Sequence, residues 1–149
     1  MIALPRRILL DTNVYVVGLL EETSFEAQVL DFLAAQTETI ILFSSELEEQ
    51  LRRVGRRLAD KDWAGFILYL IWRDYAIDYV IPPMPVKELE DTGDIPREDL
   101  GIYLTALMGE ADCFVSANLE LVKQVAVKQR VFACLTPEEF VKKYIQAGG

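Results

Sequence analysis

Three short stretches concentrate the side chains that could do chemistry. An apolar run, Ile8-Leu9-Leu10, leads straight into Asp11, Thr12 and Asn13. A second, Cys113-Phe114-Val115, leads into Ser116, Ala117, Asn118, Leu119 and Glu120. Between them Asp99 opens a segment whose Leu100, Tyr103, Leu104 and Leu107 recur at helical spacing. In an open parallel α/β sheet, ligands sit beyond the carboxyl ends of the strands, so acids at such points can converge although they lie far apart in sequence. Converged carboxylates repel one another unless a proton or a cation bridges them. Mg²⁺ or Mn²⁺ does so while holding only one or two carboxylates plus waters, which leaves room for phosphate oxygens. Such an ion lowers the pKa of bound water and supplies a nucleophile without histidine, the chemistry of a metal-dependent phosphodiesterase.

The composition excludes the competing chemistries. The 149 residues contain no histidine, which removes Ser-His-Asp and Cys-His catalysis and most zinc sites. A carboxylate-rich chain of net charge −9 leans toward hard cations and lacks a broad electrostatic footprint for nucleic acid. Cys113 and Cys134, the two cysteines, lie in apolar stretches and match neither a disulfide framework nor a metal spacing, so a reducing cytoplasm is the expected setting. Pro5, Arg6 and Arg7 interrupt any secretory leader. The longest apolar run, residues 63–72, is half a membrane span and predicts a buried helix or an oligomer face, with Trp63, Phe66, Leu70 and Trp72 in core or dimer contacts, and no membrane association.

Those residues need a scaffold, and the chain supplies an alternating one. Strands are expected over residues 7–11, 39–43, 76–81, 112–116 and 130–133, each short and apolar on both faces, as in a parallel sheet covered on both sides. Capping boxes at Thr23/Glu26, Ser45/Glu48 and Thr136/Glu139, the last with Pro137 at N1, predict helix starts. Leu47, Leu51, Val54 and Leu58 form an apolar stripe on the third helix, and a closing helix anchored by Phe140 and Ile145 ends at Gly148-Gly149. Residues 82–96 hold four of the six prolines and predict a loop. The expectation is one domain over residues 1–149.

Every candidate has a simpler role beside the chemical one. Asp11 and Asn118 could cap the helices that follow them, and Asp99 could complement a helix dipole. Glu48 could complete a capping box. Arg52, Arg53, Arg56 and Arg57 form the best basic patch for backbone phosphates, yet Glu48–Arg52 and Glu49–Arg53 are also favourable i, i+4 surface pairs. A phospho-acceptor receiver domain fits poorly, because the first strand ends in a single acid and the third ends "YVIPP".

In order, "ILLDTNVYV", "SSELEEQLRRV" and "DLGIYLTALMGEADCFVSANLEL" resemble the PIN domain, the nuclease fold of VapC-type toxins and related RNases. The resemblance spans nearly the whole chain. It implies a three-layer α/β/α sandwich with a mostly parallel, about five-stranded central sheet. It also implies three or four acids around Mg²⁺ or Mn²⁺, cleavage of RNA, and, if toxin-like, a homodimer inhibited by an antitoxin protein. Carried over by residue, Asp11 is the first acid with Asn13 in support, and Asp99 is the third. Ser116-Ala117-Asn118 stands where the family has Ser/Thr-x-Asp, so Ser116 keeps a supporting role, Asn118 is neutral and Glu120 keeps the next acid. The second acid falls on Gln50, which carries no charge, leaving Glu46 or Glu49 as the expected ligand. A catalytically weak or inactive PIN-fold interaction module is the alternative that these departures favour.

Overall fold

The computed structural model describes residues 3–81, 95 and 99–146. Five strands, β1 (Arg7–Leu10), β2 (Ile40–Ser44), β3 (Ala76–Val80), β4 (Cys113–Val115) and β5 (Ala133–Leu135), pair in the order β3-β2-β1-β4-β5, all parallel. Strand β1 is central, and Ile8, Leu9 and Leu10 are each wholly buried. Burial of such side chains contributes about 1.5–3 kcal/mol apiece, which explains the unbroken apolar run before Asp11.

Helices α1 (Thr12–Leu20), α2 (Phe25–Ala34), α3 (Ser45–Leu58) and α4 (Lys61–Asp74) occupy the first half of the chain. Helices α5 (Leu100–Met108), α6 (Leu119–Lys128) and α7 (Pro137–Phe140, continuing as a π-helical stretch Val141–Gln146) occupy the second. Side chains alternate across a strand, and β2 separates the layers accordingly. Phe43 meets Tyr15 of α1 and Trp72 of α4 edge-on, at 6.3 and 6.4 Å between ring centroids. Its neighbours Leu42 and Ser44 face the other way, where Leu42 closes on Gly109 and Ser44 Oγ accepts a hydrogen bond from Thr105 Oγ1 of α5 at 3.0 Å. The sheet is thus sandwiched between helical layers, as the resemblance implies.

Local starts and stops differ in places from those expected. The capping side chains are Ser24 and Ser44, each one residue away from the expected positions. Only Thr136/Glu139 closes a full capping box. Strand β5 begins at Ala133 rather than near Arg130, because Gln129 Oε1 accepts from the amides of Val131 (2.7 Å) and Phe132 (3.0 Å) and folds that stretch into a turn. Strand β3, one edge of the sheet, is not covered on both faces: Ala76 and Tyr79 are exposed, and Asp78 pairs with Arg7. On α3 the stripe holds at Leu47 and Leu51 but fails at Leu58, which is 55% exposed. Gly55 is buried instead, because a Cβ there would come within 2.9 Å of Ala64 Cβ on α4. The expected loop over residues 82–96, apart from Ile95, and the helix end at Gly148-Gly149 lie outside the described residues. Among the described residues no helix is long and apolar enough to cross a membrane.

Candidate active site

Asp11 leaves the carboxyl end of β1 and becomes the N-cap of α1, with Oδ1 accepting from the Thr12 amide at 2.8 Å. Its backbone stays tied to β4 through Asp11 N to Val115 O, 2.9 Å. That tie brings the turn after β4 alongside. Ser116, wholly buried, donates its hydroxyl to Asp11 Oδ2 at 2.8 Å, and Ser116 Oγ accepts from the Asn118 amide at 3.0 Å and from Asn13 Nδ2 at 3.4 Å. Asn13 Oδ1 accepts from the Ala117 amide at 3.0 Å. The stretches Asp11–Asn13 and Ser116–Asn118 are therefore one structure, each turn holding the other at the ends of adjacent strands.

Asp11 keeps 6% of its surface exposed, and none of the ion pairs among the described residues includes it. Burial pushes its pKa above the usual carboxylate range, while the Ser116 and Thr12 hydrogen bonds pull the other way. A buried carboxylate in that state gains from a nearby positive charge.

A cleft of about 350 Å³ opens above it. Asp11 and Asp99 line it, together with the amides Asn13, Gln50 and Asn118. Val16, Val17 and Val54 supply its apolar lining, and Arg53 and Arg57 its basic one. Gln50 Oε1 accepts from Thr12 Oγ1 at 2.9 Å, so α3 is tied to the start of α1 at the cleft. Asp99 stands at the N-cap position of α5 without capping its backbone.

The remaining candidates are distributed around this cleft. Glu46 does not line it. Its carboxylate packs beside the first turn of α5, where a Cβ on Gly101 would come within 2.9 Å of Oε2. Glu49 pairs with Arg53 (3.2 Å), and Glu48 pairs with Arg52 (3.1 Å). Glu120 is exposed in the first turn of α6, and Asn118 Oδ1 caps that helix through the Leu121 amide at 3.1 Å. The basic patch divides, because Arg53 and Arg57 face the cleft whereas Arg56 Nε donates to the Arg52 carbonyl and neither of those two lines it. The sequence places Thr12 in the first polar stretch without giving it a role in the site, and marks Gln50 only as an acid position without charge. The available signal was the spacing of Gln50, Arg53, Val54 and Arg57, one face of a helix.

The donor set can be tested against the cation that the resemblance implies. Among the described residues no three Asp, Glu or Cys side chains gather as a metal-holding group. Two carboxylates and three amide side chains do share the cleft, and Mg²⁺ is commonly held by one or two carboxylates with waters completing its shell. Asp11 and Asp99 fit that reduced form. A bound cation would supply charge neutralisation and a more acidic water. The chain's own residues contribute a fixed carboxylate at Asp11, amides able to orient water, and two guanidinium groups able to hold phosphate oxygens.

No protein-family model matches the sequence, and no curated protein matches it. Among solved structures, a chain of the crystal structure of VapBC2 from Rickettsia felis bound to a DNA fragment from their promoter is similar, with a TM-score of 0.61 and 20% identity. The match covers 87% of this chain and 96% of that one. The likeness is one of fold. The parallel five-stranded, helix-covered sheet expected from the resemblance is the architecture observed.

Proposed function

We propose that this chain is an Mg²⁺- or Mn²⁺-dependent endoribonuclease of the PIN type, acting as the toxin of a toxin–antitoxin pair in the cytoplasm. The observation that carries the reading is the shared cleft: Asp11, just after the carboxyl end of the central strand, and Asp99, at the N-cap position of α5, line it together with Arg53 and Arg57. Asp11 and Asp99 would hold the cation, Asn118 and Gln50 would order its water, and Glu46 at the neighbouring helix start would supply further charge. The arginines would seat the RNA backbone, since phosphate contacts position a substrate without reading its sequence. The fold likeness to a chain of the Rickettsia felis VapBC2 assembly supports an antitoxin partner, and a homodimer belongs to the same reading.

A second reading, a PIN-fold interaction module without catalysis, is favoured by one observation. Gln50 and Asn118 put neutral amides in the cleft where the resemblance implies acids. The deciding experiment is cleavage of end-labelled RNAs with Mn²⁺, Mg²⁺ or EDTA, run beside Asp11→Asn purified identically, together with calorimetric titration of Mn²⁺. Metal-dependent cleavage that vanishes in Asp11→Asn supports the nuclease, and Gln50→Glu is then expected to tighten Mn²⁺ by about tenfold through its added charge. Absence of both cleavage and Mn²⁺ binding transfers the reading to the module.

A further inference from the structure

Tyr15 on α1 is 1% exposed, and its hydroxyl is the only buried side-chain polar group among the described residues that has no hydrogen-bond partner. Buried tyrosines nearly always find a partner for the hydroxyl, because leaving it unpaired forfeits its hydration for nothing. Phenylalanine would fill the same space without that cost. Tyr15 also lines a cavity of about 90 Å³ between α1, α2 and α4. Burial orders the lining. Tyr15, Leu30 and Ile71 are buried and form the inner end, while Asp31 of α2 and Asp74 of α4 are exposed and stand at the mouth.

The charges around this cavity have one sign to spare. Arg73 Nε holds the Asp74 carboxylate at 2.7 Å, whereas Asp31 has no ion-pair partner among the described residues. Tyr75, which also lines the cavity, spends its proton on the Leu30 carbonyl at 3.0 Å. Burial, and then the carboxylates of Asp74 and Asp31, hold the Tyr75 hydroxyl above the usual phenol range, so both acids act on one point. Burial, and then Tyr75, push the Tyr15 hydroxyl up in the same way, which ties the two phenols and two acids into one cluster. The walls are held in place by Gly18, where a Cβ would come within 2.5 Å of Leu30 Cδ1 and force α1 and α2 apart.

We propose that this cavity binds the head of a primary alkylammonium ion. Such a head brings three N–H donors and no acceptor, which matches one phenol oxygen and two carboxylates. Tyr15 Oη would accept at the inner end, Asp31 would neutralise the charge, and Leu30 and Ile71 would pack against the first methylenes. At about 30 Å³ for each water-sized group, the cavity takes about three heavy atoms, the nitrogen and two carbons. Water alone would satisfy the phenol and leave the Asp31 charge and the apolar walls unused. A hard metal ion would want a shell of about six oxygens, which these walls do not offer. The site is independent of the nuclease reading. From α1 the cleft takes Thr12, Asn13, Val16 and Val17, whereas the cavity takes Tyr15, Gly18 and Leu19, a different face of the same helix.

Thermal unfolding of the full chain tests the site, with n-butylammonium chloride as the probe and saturation-transfer NMR to follow its binding. Sodium chloride at equal concentration controls for ionic strength, and tetramethylammonium chloride supplies the charge without the N–H donors. Tm should rise saturably with n-butylammonium alone, since a ligand that binds only the folded chain stabilises it. Tyr15→Phe and Asp31→Asn should each weaken that binding by about tenfold, the effect of one lost hydrogen bond to a charged group. Without ligand, Tyr15→Phe should keep or raise the wild-type Tm, because it removes only the unpaired hydroxyl. Nα-acetyl-lysine methylamide carries the same head on a peptide: binding equal to that of n-butylammonium supports a protein side chain as its source, and weaker binding supports a free amine. A Tm rise matched by tetramethylammonium, no binding of n-butylammonium, or binding unchanged in both variants overturns the proposal. A lower Tm for ligand-free Tyr15→Phe, with no alkylammonium bound by the wild type, overturns it in favour of a cavity filled by water.

Discussion

Replacing Ser116 by alanine removes one oxygen from the point where the two strand ends meet. That oxygen donates to Asp11 Oδ2 at 2.8 Å and accepts from the Asn118 amide at 3.0 Å and Asn13 Nδ2 at 3.4 Å, in a position without solvent access. A hydrogen bond to an ionised group contributes about 1.5–3 kcal/mol and a neutral one about 1 kcal/mol, so the substitution should cost about 3 kcal/mol. For a chain of this length that lowers Tm by about 6–12 °C. The loss carries a pH signature. Burial raises the Asp11 pKa in the fold, so the stability linked to that group is full at low pH and declines as pH rises through the folded value. The Ser116 hydroxyl opposes the rise, and without it the folded pKa climbs further. The penalty of Ser116→Ala should therefore be small in acid and grow to a plateau at alkaline pH. With an isoelectric point near 4.5, urea unfolding followed by circular dichroism is best run from about pH 5 to about pH 8.5. A flat difference across that range, or one below about 1 kcal/mol at its upper end, would show that Ser116 does not stabilise the ionised Asp11.

Other substitutions probe the scaffold. Glu110 follows the end of α5 with φ of 54°, a left-handed conformation that favours glycine, so Glu110→Gly should raise stability by roughly 1 kcal/mol in thermal unfolding. Gly55→Ala should lower stability by about 1–2 kcal/mol by pressing on Ala64, whereas Gly65→Ala, with open space around it, should gain up to about 1 kcal/mol. Burial pushes the Cys113 thiol up to about 12 and the Cys134 thiol up to about 11. Both should therefore react slowly with a disulfide reagent at neutral pH in the folded protein and rapidly in urea.

The sheet was legible because its strands are buried runs whose ends carry polar residues, a pattern that survives without any knowledge of pairing. Helix starts were legible only to the nearest residue. Ser44 and Ser45 are equally good caps by type, and the choice falls to Ser44 because β2 extends one residue further and pairs Ser44 with Val80. Strand β5 starts later than expected for a related reason. Nothing in "QRVFACL" marks Gln129 as the residue whose side chain folds the next amides into a turn, yet that turn decides where pairing begins. The apolar run over residues 63–72 allowed either core or interface, and it serves as core on one side of α4 while Phe66 and Trp72 remain in water on the other.

The cleft divides along the same line, between what strand ends dictate and what helix faces decide. Asp11, Asn13, Ser116 and Asn118 lie together because the ends of parallel strands are fixed points. The α3 side depends on rotation about a helix axis, where a shift of one residue turns a side chain by about 100°. Gln50 and Arg53 therefore reach the cleft while Glu49 and Arg52 do not. That rotation sets the electrostatics of the site. Two carboxylates, Asp11 and Asp99, share the cleft with two arginines, Arg53 and Arg57, so its lining is formally balanced, and Glu49 takes part of the Arg53 charge. A phosphate entering a balanced cleft gains from the arginines only as far as the carboxylates are covered. On the nuclease reading, the cation therefore has a role before any chemistry, because it turns a neutral cleft into one that attracts RNA. Binding of uncleavable RNA should accordingly require Mn²⁺ in the wild type and lose that requirement when Asp11 and Asp99 are both replaced by asparagine, as measured by fluorescence anisotropy. A wild type that binds equally well in EDTA would refute this account of how the two arginines and two acids share the site.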